Sequence, residues 1–461
     1  MSPLPVYGGQ FTAKEATRLL WRSGFGPGPG EVTAIVAKGT ASAAVDSLFA
    51  VKKEKLKGKA PKLEGNRPIK PRDRYGHDHL WFLDRMVRST KPIVERMTLI
   101  WHDWFATSND GVGSQTLMLA QNETFRKYGL GSFLTLVTQV TRDPAMLLWL
   151  SGADSTADDP NENYGRELME LFTLGAETGS YTEHDVRQQA RALTGWTYRW
   201  SNKGPTKFHF EPDRHDDGTK DIFSHAPFNV APGNWTWTDS PRLCVQHPNH
   251  PKFFVKKLWS YFIPTPPSPS DQAALETLYE QGADEGPQYG IAEVVKAILK
   301  HPDLYLGESM IKPPVVYTAG LLRALGRTID TYDWIWLDNQ AGQQLFYPPN
   351  VAGWDDSRWL DTASFKGRWD IANFALRPTS LDPDHDMTRA TIPTTADALV
   401  AKALAAVGAP ALEPGAQTIL LDFAQTSLDG AGDADQLRYF AVMVYNGLRH
   451  LIVALPEAQT S

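Results

Sequence analysis

The stretch DDPNENYGRELMELFTLGAETGSYTEHDVRQQARALTGW, residues 158–196, carries the clearest folding instructions in the chain. Asp159 suits an N-cap, Pro160 suits the first helical position, and Glu162 stands three residues after the cap. Apolar Leu168, Met169, Leu171 and Phe172 give the following helix a core face, and Gly175 is placed to end it. Thr182 and Asp185 have capping-box spacing and open a second helix that stops at Gly195. Two helices written this way, one after the other, predict an all-α architecture.

The same grammar extends outward. Thr12 and Glu15 form another capping-box pair, ahead of an apolar stripe of Ala16, Leu19 and Leu20 that stops at Gly24. A second helix is expected over 31–50, giving an N-terminal helical pair in residues 1–50. Residues 51–70 are rich in lysine, glycine and proline and read as a solvated connector. Residues 71–461 form the main helical domain, expected to make one compact unit with 1–50. Within it, 77–106 is helical with a break at Pro92, and 122–128, 131–140, 144–150, 251–262, 310–326 and 394–456 follow suit. Residues 197–250 and 345–370 read as two long irregular segments rich in aromatics, proline and glycine. KFHFEP at 207–212 alternates and allows a short strand, so the β content is at most minor. No βαβ alternation is present.

Composition narrows the function. The 461 residues carry 46 Lys+Arg against 53 Asp+Glu, a net charge of −7, which argues against a general nucleic-acid binder. No apolar run is long enough to span a membrane. The single cysteine, Cys244, excludes an internal disulfide. MSPLPVYGG has neither a basic n-region nor an apolar h-region, so these residues give no secretory signal and a cytoplasmic location is expected. There is no phosphate-loop motif, no dinucleotide fingerprint between strand and helix, and no G-x-S-x-G.

The candidate chemistry gathers around 158–225. Glu162, Arg166 and Glu170 share a helix face at i, i+4 and i+8, and Glu167 lies one turn before Glu170. The plain alternative is an ion-pair ladder. The catalytic alternative places carboxylates at the edge of the core, where burial separates their pKa values and equips them as acid and base. PDRHDDGTKD at 212–221 adds His215, Asp216 and Lys220 on a loop, against the simpler reading of an Asx turn. Glu162, Glu167, Glu170, His215 and Asp216 are therefore candidate catalytic residues, with Arg166 and Lys220 positioning an anion or tuning a carboxylate. The chain holds 15 tryptophans, and Trp196, Trp200, Trp354 and Trp359 lie in or beside the irregular segments, where they suit packing under loops or stacking on a polymeric or planar ligand. His102, in ERMTLIWHDWFATS, is a core histidine or a ligand contact. His77-x-His79 cannot share a metal on a helix, and His247 and His250 form only a weak metal pattern. No metal-ligand set is assigned and the cofactor is left open.

Five separated motifs resemble one bacterial family, called domain of unknown function 1800. They are LLWRSGFGPGPGEV, ERMTLIWHDWFATS, NENYGRELMELFTLG with YTEHDVRQQARALTGW, the HDDGTK loop, and GQQLFYPPNVAGW with Trp359 and Arg368. The resemblance spans roughly residues 12 to 456. It implies a largely helical protein, many relatives that look exported, and genes often near a second uncharacterised family that resembles alkaline phosphatases. Export is thus left open beside the cytoplasmic expectation. The family commonly has histidine where Trp104 stands and alanine where Gly165 stands.

The expected function is a hydrolase with a carboxylate–histidine site, acting on a carbohydrate-like substrate. Two alternatives stand beside it: a metal-dependent enzyme of hydrolytic or redox type, and a non-catalytic binding or scaffold protein.

Overall fold

The computed structural model describes residues 4–50, 53–176, 178–201, 204–282 and 288–461. The protein is mostly α, 57% helical, with 24 helices and two antiparallel sheets of two strands each among the described residues. No helix there is long and apolar enough to cross a membrane.

Local sequence explains most of the elements. Helix Ala13–Arg22 starts at the expected capping box, where the Thr12 N–H donates to Glu15 Oε2 at 2.9 Å. The helix expected over 31–50 is instead two, Glu31–Val36 and Ala41–Phe49, because Gly39 takes a left-handed conformation (φ +83°) and Thr40 caps a new start. Proline divides His77–Arg88 from Pro92–Trp104 as expected.

The 158–175 segment departs from expectation in its register. The helix begins at Asn163 with Glu162 as its cap residue, while Asp159 closes a turn by donating its N–H to Thr156 Oγ1 at 3.1 Å. From Leu168 to Thr173 the helix widens to π geometry, and the N–H groups of Leu174 and Gly175 both reach the Met169 carbonyl, at 2.8 and 3.1 Å. The Thr182–Asp185 capping box opens Glu183–Ala192 as read from sequence.

The two irregular segments are shorter than expected. Trp196–Ser201 pairs antiparallel with Gly204–Phe210, in a register that sets Trp196 opposite Phe210. A helix, Asp239–Gln246, follows, its first turn held by Asp239, which accepts the Thr236 N–H at 3.0 Å. Helix Thr362–Leu376 begins inside the second segment, capped by Asp361.

Two large apolar cores hold the molecule together. The first joins Leu19, Leu20, Val45, Trp101, Phe133, Phe172, Leu258 and others between Tyr7 and Tyr305. The N-terminal helices are thus packed into the same core as the middle of the chain. The second draws on 80–87, 112–119, 315–346 and the C-terminal helices. Helix Pro92–Trp104 serves both: Met97, Ile100, Trp101 and Trp104 enter the first core and Leu99 the second. The functional geometry develops along this seam.

Candidate active site

Helix Pro92–Trp104 turns Arg96, Leu99, Ile100 and Asp103 toward one side, the i, i+3, i+4, i+7 set of a single face. That face forms one wall of a cavity of about 500 Å³. A second wall comes from the end of helix His250–Ser260, with Lys257, Ser260 and Tyr261. The 309–313 strand-like segment forms a third, and Trp354, Asp356, Ser357 and Trp359 close the fourth. The cavity therefore lies between elements of both cores, a common position for ligand sites.

Asp103 is the polar centre. Tyr261 donates its hydroxyl hydrogen to Asp103 Oδ2 at 2.7 Å, and the Trp354 N–H donates to Oδ1 at 2.9 Å. Withdrawal from solvent outweighs these bonds and raises the carboxyl above its ordinary range. Lys257 donates to the Leu171 carbonyl at 2.9 Å and lies 4.4 Å above the Trp104 ring. Burial lowers its ammonium to about 8, against the attraction of Asp103. Burial also pushes the Tyr261 hydroxyl well up, with Asp103 adding to the effect.

The loop that supplies Trp354 is held tightly against the helix. Gly353 has φ +94°, and a Cβ on it would fall 2.3 Å from Asp103 Oδ1. His102 is fully buried behind the loop. Its Nε2 accepts the Phe346 N–H at 2.9 Å and its ring meets the edge of Trp354 at 5.2 Å. Burial lowers the imidazole to about 3, so it is neutral and acts as a support for the loop. Trp359 faces the cavity with an indole N–H that has no partner, while its carbonyl is held by Arg368 Nε at 2.8 Å.

The residues singled out from sequence are distributed differently. Trp354 and Trp359 come together at this cavity, and His102 lies behind Trp354 without lining it. Glu162 and Arg166 pair at 3.0 Å as the ladder reading required, but the second partner of Arg166 is Glu183, at 2.6 Å, and not Glu170. Glu167 is half-buried, and burial followed by the nearby Glu170 raises its carboxyl. Neither Glu167 nor Glu170 has an ion-pair partner among the described residues. Asp216 is gripped by Arg191, with 2.6 Å between Oδ2 and Nε. His215 Nδ1 lies 3.1 Å from Thr194 Oγ1 and 3.0 Å from the Thr194 carbonyl. Lys220 is buried and donates to the Asp216 carbonyl and to Asn234 Oδ1. Helix Glu183–Ala192 explains this separation. Its first residue holds Arg166 and its ninth holds Asp216, so the two groups are anchored roughly 12 Å apart along its axis. None of them lines the cavity. Trp196 packs against Trp237 and Phe210 in a small core of its own, and Trp200 is 73% exposed on the hairpin.

Two further histidines are tied into the packed interior. His250 bridges the Thr173 carbonyl and the Tyr279 hydroxyl, and His79 joins Asp338 at 3.0 Å. Among the described residues, no three His, Cys, Asp or Glu side chains gather as a metal-ligand set.

Sequence reasoning passed over Arg96, Lys257, Tyr261 and Asp356, and read Asp103 only as the neighbour of His102. One signal was present: Arg96 and Asp103 stand seven residues apart on one face of a largely apolar helix, with Leu99 and Ile100 between them, where a charge needs a reason.

The model of the family described as protein of unknown function, DUF1800, matches residues 18–460. The chain belongs to this family. Neither the curated proteins nor the solved structures contain a match. Three of the five motifs meet at the cavity of the DUF1800 chain from distant parts of the sequence. The W-H-D-W stretch supplies Asp103 and the V-A-G-W stretch supplies Trp354. R-E-L-M-E-L-F-T-L-G contributes through main-chain oxygens: that of Leu171 to Lys257, and that of Phe172 to the Trp104 indole at 3.1 Å.

Proposed function

We propose that the protein is a hydrolase whose acid–base chemistry takes place in the Asp103 cavity, on a carbohydrate-like substrate. The observation that carries this reading is the setting of Asp103. Its carboxyl is raised by burial, held in place by Tyr261 and the Trp354 N–H, and open to a cavity that also receives the exposed carboxylate of Asp356. Two carboxyl groups in unlike surroundings are the equipment for general acid and base catalysis, and glycoside hydrolysis uses such a pair. In this assignment Asp103 donates a proton to the leaving oxygen and Asp356 serves the opposite face. Trp354 and Trp359 supply flat apolar walls for a ring.

A second reading keeps the chemistry at Glu167 and Glu170, supported by the raised carboxyl of Glu167 beside its unpaired neighbour. The two sites separate by mutation. Purified full chain and the variants D103N, D356N, E167Q and E170Q are assayed on a panel of glycosides. On this proposal, D103N lowers kcat by about 100-fold or more, while E167Q and E170Q leave it unchanged. The wild-type rate declines as pH rises and Asp103 loses its proton. Full turnover by D103N would overturn the assignment. Loss in E167Q or E170Q alone would move the site to the helix. A wild-type protein that binds glycans without turning any over would favour the binding or scaffold alternative.

A further inference from the structure

Arg96 is 4% exposed and lines the cavity, yet among the described residues it forms no hydrogen bond or ion pair, and its buried Nε and Nη1 atoms have no partner there. The other buried charged side chains of this protein have hydrogen-bond partners, and several are in ion pairs. One residue earlier, Glu95 is held by Arg85 and Arg126, each at 2.8 Å. Asp84 takes Arg88 at 2.6 Å, and Glu31 takes Arg323 at 2.7 Å. An unpaired guanidinium withdrawn from water costs several kcal/mol unless a counter-charge arrives.

The surroundings reinforce the imbalance. Behind the cavity walls, Arg22, Lys312 and Arg368 are buried and donate to main-chain oxygens: Phe262 and Ser461 for Arg22, Ala458 for Lys312, Trp359 and Lys312 for Arg368. Neither Lys312 nor Arg368 has a carboxylate partner among the described residues. Lys257 adds a fourth cation on the wall itself. Against these, the cavity has Asp103, already engaged by Tyr261 and Trp354, and Asp356 at its exposed rim. The buried cations behind and on the inner wall bias the potential there toward positive.

We propose that Arg96 is the anchor for an oxyanion group on the ligand, so that the cavity takes an acidic saccharide, one bearing a carboxylate or a sulfate, in preference to a neutral one. This deepens the hydrolase reading and rests on it for the identity of the ring. The planar fork of the guanidinium, with two N–H edges free, suits bidentate capture of a carboxylate or sulfate. Trp354 and Trp359 would then hold the ring while Arg96 fixes which substituent points inward.

The test is binding to the full chain, followed by calorimetry and thermal shift, with glucuronate, glucose, inorganic sulfate and inorganic phosphate as probes. Glucuronate is expected to bind and raise Tm, and glucose at the same concentration is not. Inorganic sulfate or phosphate should compete with glucuronate, which shows that the charged group is the point of recognition. If the free anions bind and glucuronate does not, the site is for a small anion and the saccharide assignment is overturned. R96M should weaken glucuronate at least about tenfold, the cost of losing charged hydrogen bonds. Its Tm without ligand should equal or exceed that of the wild type, because an uncompensated charge has been removed. R96K, which keeps charge but not the fork, should bind with intermediate strength. Undiminished glucuronate binding by R96M, or equal binding of glucose and glucuronate, would overturn the proposal. So would an R96M that unfolds while R96K binds no better than glucose does. These outcomes are independent of turnover: tight, Arg96-dependent binding without hydrolysis retains the anion site and removes the enzyme, whereas hydrolysis of neutral glycosides does the reverse.

Discussion

Trp104 stands where the resemblance implies histidine in relatives, and its surroundings show what that exchange would touch. The indole N–H donates to the Phe172 carbonyl at 3.1 Å, and the ring lies beneath the Lys257 ammonium and stacks beside Tyr261. A histidine here would sit within reach of the groups around Asp103. His102 does not replace it, since its Nε2 is occupied by the Phe346 N–H and its ring is held neutral by burial. On the proposed reading, proton transfer falls to the other ionisable groups of the cavity, Asp103 and Asp356 foremost, with Tyr261 and Lys257 beside them. Gly353 is the residue this arrangement tolerates least. Its positive φ disfavours any side chain, and the added carbon would strike the Asp103 carboxylate. G353A should cost about 2 kcal/mol or more of stability and abolish the activity that D103N abolishes, as read by denaturant unfolding and by the glycoside assay. A fully active, equally stable G353A would show that the loop does not press on Asp103.

At the scale of the element, the 163–173 helix illustrates how sequence spacing can give a contact without its wider setting. The i, i+4 relation of Glu162 and Arg166 does produce an ion pair. The shift to π geometry after Glu167, and the approach of Glu183 from the next helix, could not be seen in the spacing. Arg166 thereby becomes a surface clasp between two helices, with 34% of its side chain exposed. Such pairs contribute little. R166A should lower stability by less than about 1 kcal/mol and leave ligand binding intact, measured by urea unfolding and calorimetry. A large loss of binding would restore Arg166 to a role in ligand contact. The element matters to the cavity through its backbone, since the Leu171 carbonyl orients Lys257. Side-chain motifs alone do not reveal contributions of that kind.

For the whole molecule, the decisive feature is one helix serving two cores. Trp101 is fully buried in the first core and donates its indole N–H to the Gly129 carbonyl at 2.8 Å, while Leu99 on the other side belongs to the second core. Coupling of this kind predicts a single cooperative unfolding transition, with calorimetry and tryptophan fluorescence coincident. W101A should shift that one transition downward by about 3–5 kcal/mol instead of splitting it. Two resolved transitions would show that the cores are independent domains joined at the cavity.

Capping boxes at Thr12 and Thr182, the break at Pro92 and the stop at Gly175 were legible in the chain because each acts over three or four residues, within reach of local hydrogen bonding and backbone sterics. The family motifs were legible for the same reason: they are contiguous. The cavity was not, because Arg96, Lys257 and Trp354 are brought side by side only when helices from both cores pack along a shared seam. Whether a charge is paired, as Asp216 is by Arg191, or left facing a hollow, as Arg96 is, depends on burial and on partners far away in sequence. Those are properties of the packed chain, and tertiary structure alone decides them.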